Sequence, residues 1–312
     1  MELSKILKYR DSLRFDAVQF AGDELTSELS NLVYKVNQNK HYLDTKTVQD
    51  THKNYKLLLD QIANLKQNFN SIKKELHTSV VKEEPKYFKR SYDIYDSIEM
   101  PEYILERSKT NSIYSPSDNK MLIDRARLHT SWKHAGMYIR PCLGEIADVM
   151  KPLNPLYIVD THCDLFGPYK KKFSKAYQQR LRYECIDRTA KQKFKNFPKG
   201  QMGFIFISDF FNYTPLEVIK EYLTELYTLL IPGGVILFTY NNTDCPEACI
   251  NTENFFKTYV PKRLIIPFVE ALGFTLLHTT DTGALSWIEI KKEGELTSIR
   301  GGESLAKIVD KQ

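Results

Sequence analysis

No proline occurs before Pro85, and no glycine occurs between Gly22 and Gly136. Proline lacks an amide N–H and glycine carries a large backbone entropy cost, so both interrupt helices. A long stretch without them permits extended helix. Within it Val48, Tyr55, Leu58, Ile62, Leu65, Phe69, Ile72 and Leu76 fall on a heptad seam over residues 48–76, with Thr51 the one polar interruption. Two arrangements satisfy such a seam: an antiparallel helical hairpin closing on the chain's own body, or a coiled coil with a second copy or a partner protein. Residues 1–100 are expected to form a helical arm whose main helix ends at Lys82-Glu-Glu-Pro85. Residues 101–150 are expected to be a helical lead-in, with a helix from Met121 to about His134.

After Pro155 the pattern changes to strand alternating with helix, which predicts an α/β sheet domain over 151–292 and a tail over 293–312. Leu156-Tyr-Ile-Val159 is an apolar, partly β-branched run ending at Asp160. Phe173–Leu181 reads as helix, Tyr183–Ile186 as a second strand ending at Asp187, and Gly203–Ile207 as a third leading into Ser208-Asp209. Thr214, Pro215 and Glu217 have the pattern of a capping box, and Leu216, Ile219, Leu223, Leu226 and Leu230 lay an apolar stripe on the helix that follows. That helix stops at Ile231-Pro-Gly-Gly234, and Val235–Tyr240 follows as a buried strand. A helix over Arg263–Leu272 ends at Gly273, and Phe274–Leu277 and Ser286–Lys291 form a closing hairpin that makes the terminal strand antiparallel.

The 44 Lys and Arg against 39 Asp and Glu leave a net charge of +5, a mild basic excess. Its clusters, Lys170–Lys172 and Lys191 to Lys199, read as solvated faces, so nucleic-acid binding is not indicated. Five scattered cysteines, 142, 163, 185, 245 and 249, are an odd set, expected to be thiols in a reducing compartment. Cys245 and Cys249 have no second ligand pair beside them, and no metal is expected. No stretch approaches about 18 uncharged apolar residues, so no membrane span is expected and the location is read as cytoplasmic.

The segment Tyr222–Phe238, a helix running through Leu-Leu-Ile-Pro-Gly-Gly into a strand, and the ending Leu272-Gly-Phe into a hairpin resemble the class I S-adenosylmethionine-dependent methyltransferases. The resemblance covers Leu156–Lys292 and implies a Rossmann-like sheet. In that family an apolar first strand runs into an acidic residue and a Gly-x-Gly-x-Gly loop, since only glycine lets the backbone approach the cofactor. Set on that pattern, Asp160 ends the first strand, and the loop Thr161–Gly167 carries His162, Asp164 and Phe166 at the three glycine positions, with Gly167 beside them. The family's carboxylate after the second strand accepts hydrogen bonds from the ribose hydroxyls. Asp187 matches that place, with Glu184 as the substitute. Ser208, Asp209 and Phe210 end the next strand and line the crevice, although Phe210 and Phe211 also read as core aromatics. Asp209 is the first candidate general base and His162 the second. Tyr240 and Asn241 form the opposite lip, where they would orient a methyl acceptor.

Two functions follow from the resemblance. One is methyl transfer from S-adenosylmethionine to an unidentified acceptor. The other is a methyltransferase-like assembly module that has lost the cofactor and makes its contacts through the helical arm. A nicotinamide oxidoreductase ranks third, because it too needs the missing glycine turn. The Lys-, Asn-, Tyr- and Ile-rich composition suggests an AT-rich genome, and the layout is similar to proteins of large tailed phages or other viruses, which would make it virion-associated.

Overall fold

The computed structural model describes residues 2–97, 115–141, 145–254, 257–282 and 285–296. The chain divides into two units, Met1–Pro85 and Lys86–Gln312.

The first unit is helical: α1 (Leu3–Ser12), α2 (Phe15–Gln38) and most of α3 (Thr45–Ser97). α2 and α3 form an antiparallel hairpin. Phe15 meets Phe69 edge-on at 6.0 Å between ring centroids, Lys66 Nζ reaches Asp23 Oδ1 at 2.5 Å, Ser30 lies 3.3 Å from Tyr55 Oη, and His52 lies 3.0 Å from Asn37. The hairpin arrangement of the seam is therefore the one realised within the chain. Gly22 is the one buried residue of α2, and a Cβ there would lie 2.6 Å from Lys66 Cε, so the helices approach where a side chain is missing.

The expected helix end at Pro85 is corrected. α3 continues to Ser97 with Pro85 inside it, and the break falls between the two compact units. An interior proline costs about 3 kcal/mol, and the turns beyond it are anchored on the second unit. Tyr87 Oη donates to Glu253 at 2.9 Å, Phe88 meets Tyr259 edge-on at 5.0 Å, and the Tyr259 N–H donates to Ser91 Oγ at 2.8 Å.

The second unit holds α4 (Pro116–Arg127), β1 (Ala135–Ile139), α5 (Glu145–Val149), β2 (Leu156–Asp160), α6 (Phe166–Lys171), α7 (Lys175–Gln178), β3 (Leu181–Cys185), β4 (Met202–Ile207), α8 (Leu216–Leu229), β5 (Leu230–Tyr240), α9 (Pro246–Asn254), α10 (Lys262–Ala271), β6 (Phe274–Asp281) and β7 (Ser286–Lys292). They build one sheet of order β3-β2-β1-β4-β5-β7-β6, parallel except where β7 joins β5 and β6. Strand residues alternate between two cores, as the pleat dictates. Met137, Ile139, Ile205, Ile207, Ile236 and Phe238 pack beneath α8 and α10, while Tyr138, Phe204, Phe206, Leu237 and Trp287 pack with Leu122, Ile123, Met150 and Tyr169.

The strand expected to open the sheet, Leu156–Val159, is the second one. β1 precedes it, inside the segment read as helical lead-in, and pairs with both β2 and β4. Its signal is weak because it spans five residues, and Gly136 takes the place of a side chain whose Cβ would lie 2.3 Å from Leu153 Cδ1. Two smaller readings also shift. Of the helix expected at Phe173–Leu181 only the four-residue α7 forms, α6 ends before it at Lys171, and β3 starts at Leu181. Thr214 does not cap α8; its hydroxyl donates back to Phe210 O at 2.9 Å, and Pro215 occupies the cap position with no side-chain bond.

Candidate functional site

In a parallel sheet of this order the carboxyl ends of β1, β2 and β4 meet at the crevice where strand order reverses. Moving the sheet by one strand reassigns its residues. The position following the first strand belongs to Arg140, and the run Arg140-Pro-Cys-Leu-Gly144 replaces Thr161–Gly167 as the counterpart of the glycine loop. Of that run the structure describes Arg140 and Pro141. Asp160, ending β2, takes the ribose position that had been given to Asp187.

Arg140 has φ 60°, the left-handed region where glycine is at ease and an arginine costs roughly 1–2 kcal/mol. Its guanidinium turns onto Asp160, Nε to Oδ2 at 2.7 Å, with side-chain exposures of 3% and 0%. The other oxygen, Oδ1, accepts the His162 backbone N–H at 3.0 Å and faces Thr161 Oγ1 at 3.4 Å. On its far side the guanidinium lies 5.0 Å from the centre of the Phe210 ring, which packs on Tyr222 at 5.2 Å. Both carboxylate oxygens of Asp160 are thus engaged and withdrawn from solvent.

The remaining sequence candidates fall into five pairs. Ser208 and Asp209 stay at the crevice edge, buried. Ser208 N–H donates to Ile139 O at 3.1 Å, and Asp209, at φ 51°, donates its backbone N–H to Thr239 Oγ1 at 2.7 Å. Phe210 and Phe211 belong to the core, as one of their two readings held. Tyr240 and Asn241 turn inward. Burial pushes the Tyr240 phenol well above its ordinary range, and the Asn241 amide donates to Ala248 O, Thr252 Oγ1 and Thr258 O at 2.9 to 3.1 Å, tying α9 and the following loop to β5. The Asn241 amide is thus committed within the protein, and the Tyr240 side chain is buried.

Asp187 and Gly167 lie apart from this cluster. Asp187 is exposed after β3, where the Thr189 hydroxyl and backbone N–H, at 2.7 and 2.8 Å, hold its carboxyl below the usual range. Gly167 is exposed on α6, and an added Cβ would meet nothing within 4 Å, so no close approach requires a glycine there. His162 and Thr161 remain beside Asp160 through their contacts with its carboxylate. Between them and β3, Cys163 and Cys185 form a disulfide with Cα atoms 5.7 Å apart, which corrects the expectation that these cysteines are thiols. Cys245 and Cys249 form no disulfide, and burial pushes the Cys249 thiol up to about 12. Among the described residues no helix is long and apolar enough to cross a membrane.

The residue missed in the sequence is Arg140. Its signal was available only by counting Gly136-Met-Tyr-Ile139 as a strand. A ribose would need Asp160 as a free acceptor. Both oxygens of Asp160 already accept hydrogen bonds within the protein, and a buried arginine stands at position 140, so the described residues do not fit S-adenosylmethionine in the family's manner.

No family model matches the sequence, and no curated protein matches it. The similar solved structures are mostly class I methyltransferases. The N-methyltransferase NodS of Bradyrhizobium japonicum WM9, in complex with S-adenosyl-L-homocysteine, is 13% identical over 64% of this chain and 99% of its own, at a TM-score of 0.46. The [4+2]-cyclase SpnF is 10% identical over 60% and 85%, at 0.45. An S-adenosylmethionine-dependent methyltransferase from Mesorhizobium loti is 10% identical over 54% and 96%, at 0.40. By its strand order and its single reversed strand, β7, the second unit has the Rossmann-like fold of the class I methyltransferases.

Proposed function

We propose that this protein is a methyltransferase-fold module that does not bind S-adenosylmethionine at the family's site and serves in assembly, with the helical arm as its contact element. The observation that carries this reading is the buried Arg140–Asp160 pair. Removing one partner of a buried pair leaves an uncompensated charge at a cost of about 3–5 kcal/mol. A ribose competing for Asp160 would have to meet a similar cost and displace Arg140 from Phe210. A second reading, methyl transfer to an unidentified acceptor, is favoured by the placement of Asp160 at the end of β2 with Asp209 across the crevice at the end of β4.

Titration calorimetry with S-adenosylhomocysteine separates the two. The assembly reading expects no binding heat from the natural chain at millimolar ligand and no rise in melting temperature. Saturable binding by the natural chain, abolished by Asp160→Asn, would establish the enzyme reading instead. Arg140→Gly, which empties the position and frees Asp160, is expected to bind more tightly than the natural chain.

A further inference from the structure

Between Asp164 and Glu184 the sequence has six Lys and Arg and no Asp or Glu, in a chain whose whole net charge is +5, so the remainder is close to neutral. Along the chain this is a lysine run with scattered neighbours; the fold collects it. β2 and β3 are parallel, so the crossover between them brings the end of α6, all of α7 and the first residues of β3 to the amino end of the sheet edge, beside Lys151. Lys151 and Lys172 share Asp148, at 2.6 and 3.7 Å. Tyr177 Oη donates to Lys151 O at 2.9 Å, and the Leu156 N–H donates to Arg180 O at 3.1 Å. Lys170, Lys171, Lys175 and Arg182 are exposed, and none of them forms an ion pair with another described residue.

Aromatic rings hold several of these cations in place. Tyr169, Phe173 and Tyr177 follow one another at 4.9 Å between centroids, with Lys151 over Phe173 at 5.4 Å and Arg180 over Tyr177 at 5.6 Å. Tyr183 packs on Phe166 at 5.5 Å and has Lys170 over its ring at 5.9 Å. A ring attracts a cation without neutralising it, so the charge stays available to an anion. The same packing selects the anion. Tyr177 and Tyr183 each already carry a ring and a cation, which leaves little room for an unpaired base to stack on them. From 145 to 254 no large hydrophobic side chain of the described residues is exposed, so the surface lacks the apolar groups that seat a protein among lipid headgroups. Recognition of phosphate charge remains, and a duplex offers it densely, one charge per about 1.7 Å of its axis.

We infer that this corner of the second unit binds the phosphate backbone of duplex nucleic acid without reading its sequence. The acids that flank the run, Asp164, Glu184 and Asp187, lie toward the carboxyl end of the sheet and bound the surface there. Lys191, Lys195 and Lys199 are exposed too, but the segment that carries them packs through Phe194 and Phe197 into the other core, where Lys193 and Phe194 engage Glu221 and Glu225 of α8. They stand outside the surface. Its four exposed cations, Lys170, Lys171, Lys175 and Arg182, set the salt dependence: at about 0.9 per phosphate neutralised, the logarithm of affinity should fall against that of salt with a slope of about −4. The inference goes beyond the assembly reading and does not depend on it. The crevice lies at the carboxyl ends of the strands and this surface at the amino ends of β2 and β3, so cofactor binding and duplex binding are separate outcomes.

The test is fluorescence anisotropy of the full chain with a labelled DNA duplex of about 20 base pairs. The natural chain should bind saturably at low salt, lose affinity roughly a hundredfold between about 50 and 200 mM salt, and be indifferent to base sequence. Lys171→Glu with Lys175→Glu should weaken binding about tenfold or more and reduce the slope to about −2. Lys46→Glu with Lys53→Glu, both exposed on α3, makes the same change in net charge and should leave binding as it is. Lys171→Gln with Lys175→Gln should reduce the slope by about the same amount, and decides the matter if the glutamate variant fails to fold. No duplex binding at low salt, equal weakening by the two glutamate pairs, tighter binding of a single strand of the same length, or binding to phosphatidylserine vesicles that the duplex does not displace would each overturn the inference.

Discussion

Glu289 shows how much one buried charge organises. It sits on β7 with 1% of its side chain exposed, receives Arg125 Nη2 at 2.7 Å and meets His129 Nε2 at 2.9 Å, so the end of α4 and the residues after it are tied to the sheet. Burial by itself would raise its pKa, but the hydrogen bonds from His129 and Arg125 outweigh burial and hold it below the ordinary value. A carboxylate depressed in the folded state contributes stability that is complete above its unfolded pKa, about 4.3, and is lost as pH falls through the folded value. Glu289→Gln should therefore lower stability by about 1–3 kcal/mol at neutral pH, and the gap from the natural chain should close below about pH 4. Thermal melts across that range check it; a gap that stays constant with pH would mean the loss is one of packing. Arg140 is the opposite case, a buried cation held by a carboxylate, Asp160.

The turn after β2 and the end of β3 are joined by Cys163 and Cys185, 22 residues apart. A cross-link closing a loop of that length is worth about 3 kcal/mol through the unfolded chain. Reduction should accordingly lower the melting temperature, Cys163→Ser should match the reduced protein, and the variant should be indifferent to reductant. Alkylation of the denatured chain without reductant should leave Cys163 and Cys185 unlabelled, by mass spectrometry. Labelling of both would show that the bond is absent. In the arm, the heptad seam was legible at Tyr55, Ile62 and Phe69, which do face α2. Leu58 and Leu65 belonged to the same written pattern, yet a two-helix hairpin can cover only one line of a helix, and these two stay outside it.

For the whole molecule, the division after Pro85 assigns the last turns of α3 to the sheet unit. A fragment of residues 86–312 keeps Phe88 on Tyr259, the bond from Tyr259 to Ser91, and the bond from Arg188 to the Tyr95 carbonyl at 2.9 Å. A fragment starting at residue 101 loses all three and uncovers a buried tyrosine, worth about 1.5–3 kcal/mol in apolar contact. The longer fragment should unfold cooperatively and at a higher temperature; equal melting of the two would place the boundary nearer residue 100. What the sequence determined by itself was whatever local periodicity and turn chemistry dictate: a helical arm where glycine and proline are missing, the apolar stripe of α8, the strand after Pro-Gly-Gly, and a reversed strand after a short hairpin. Those signals are carried by residues close together in the chain. The identity of the first strand, the partner of Asp160, the inward turn of Asn241 and the pairing of Cys163 with Cys185 were decided only by tertiary structure. Each depends on which distant segments the sheet brings side by side, and a five-residue strand such as β1 draws its stability from two neighbours that the local sequence does not name.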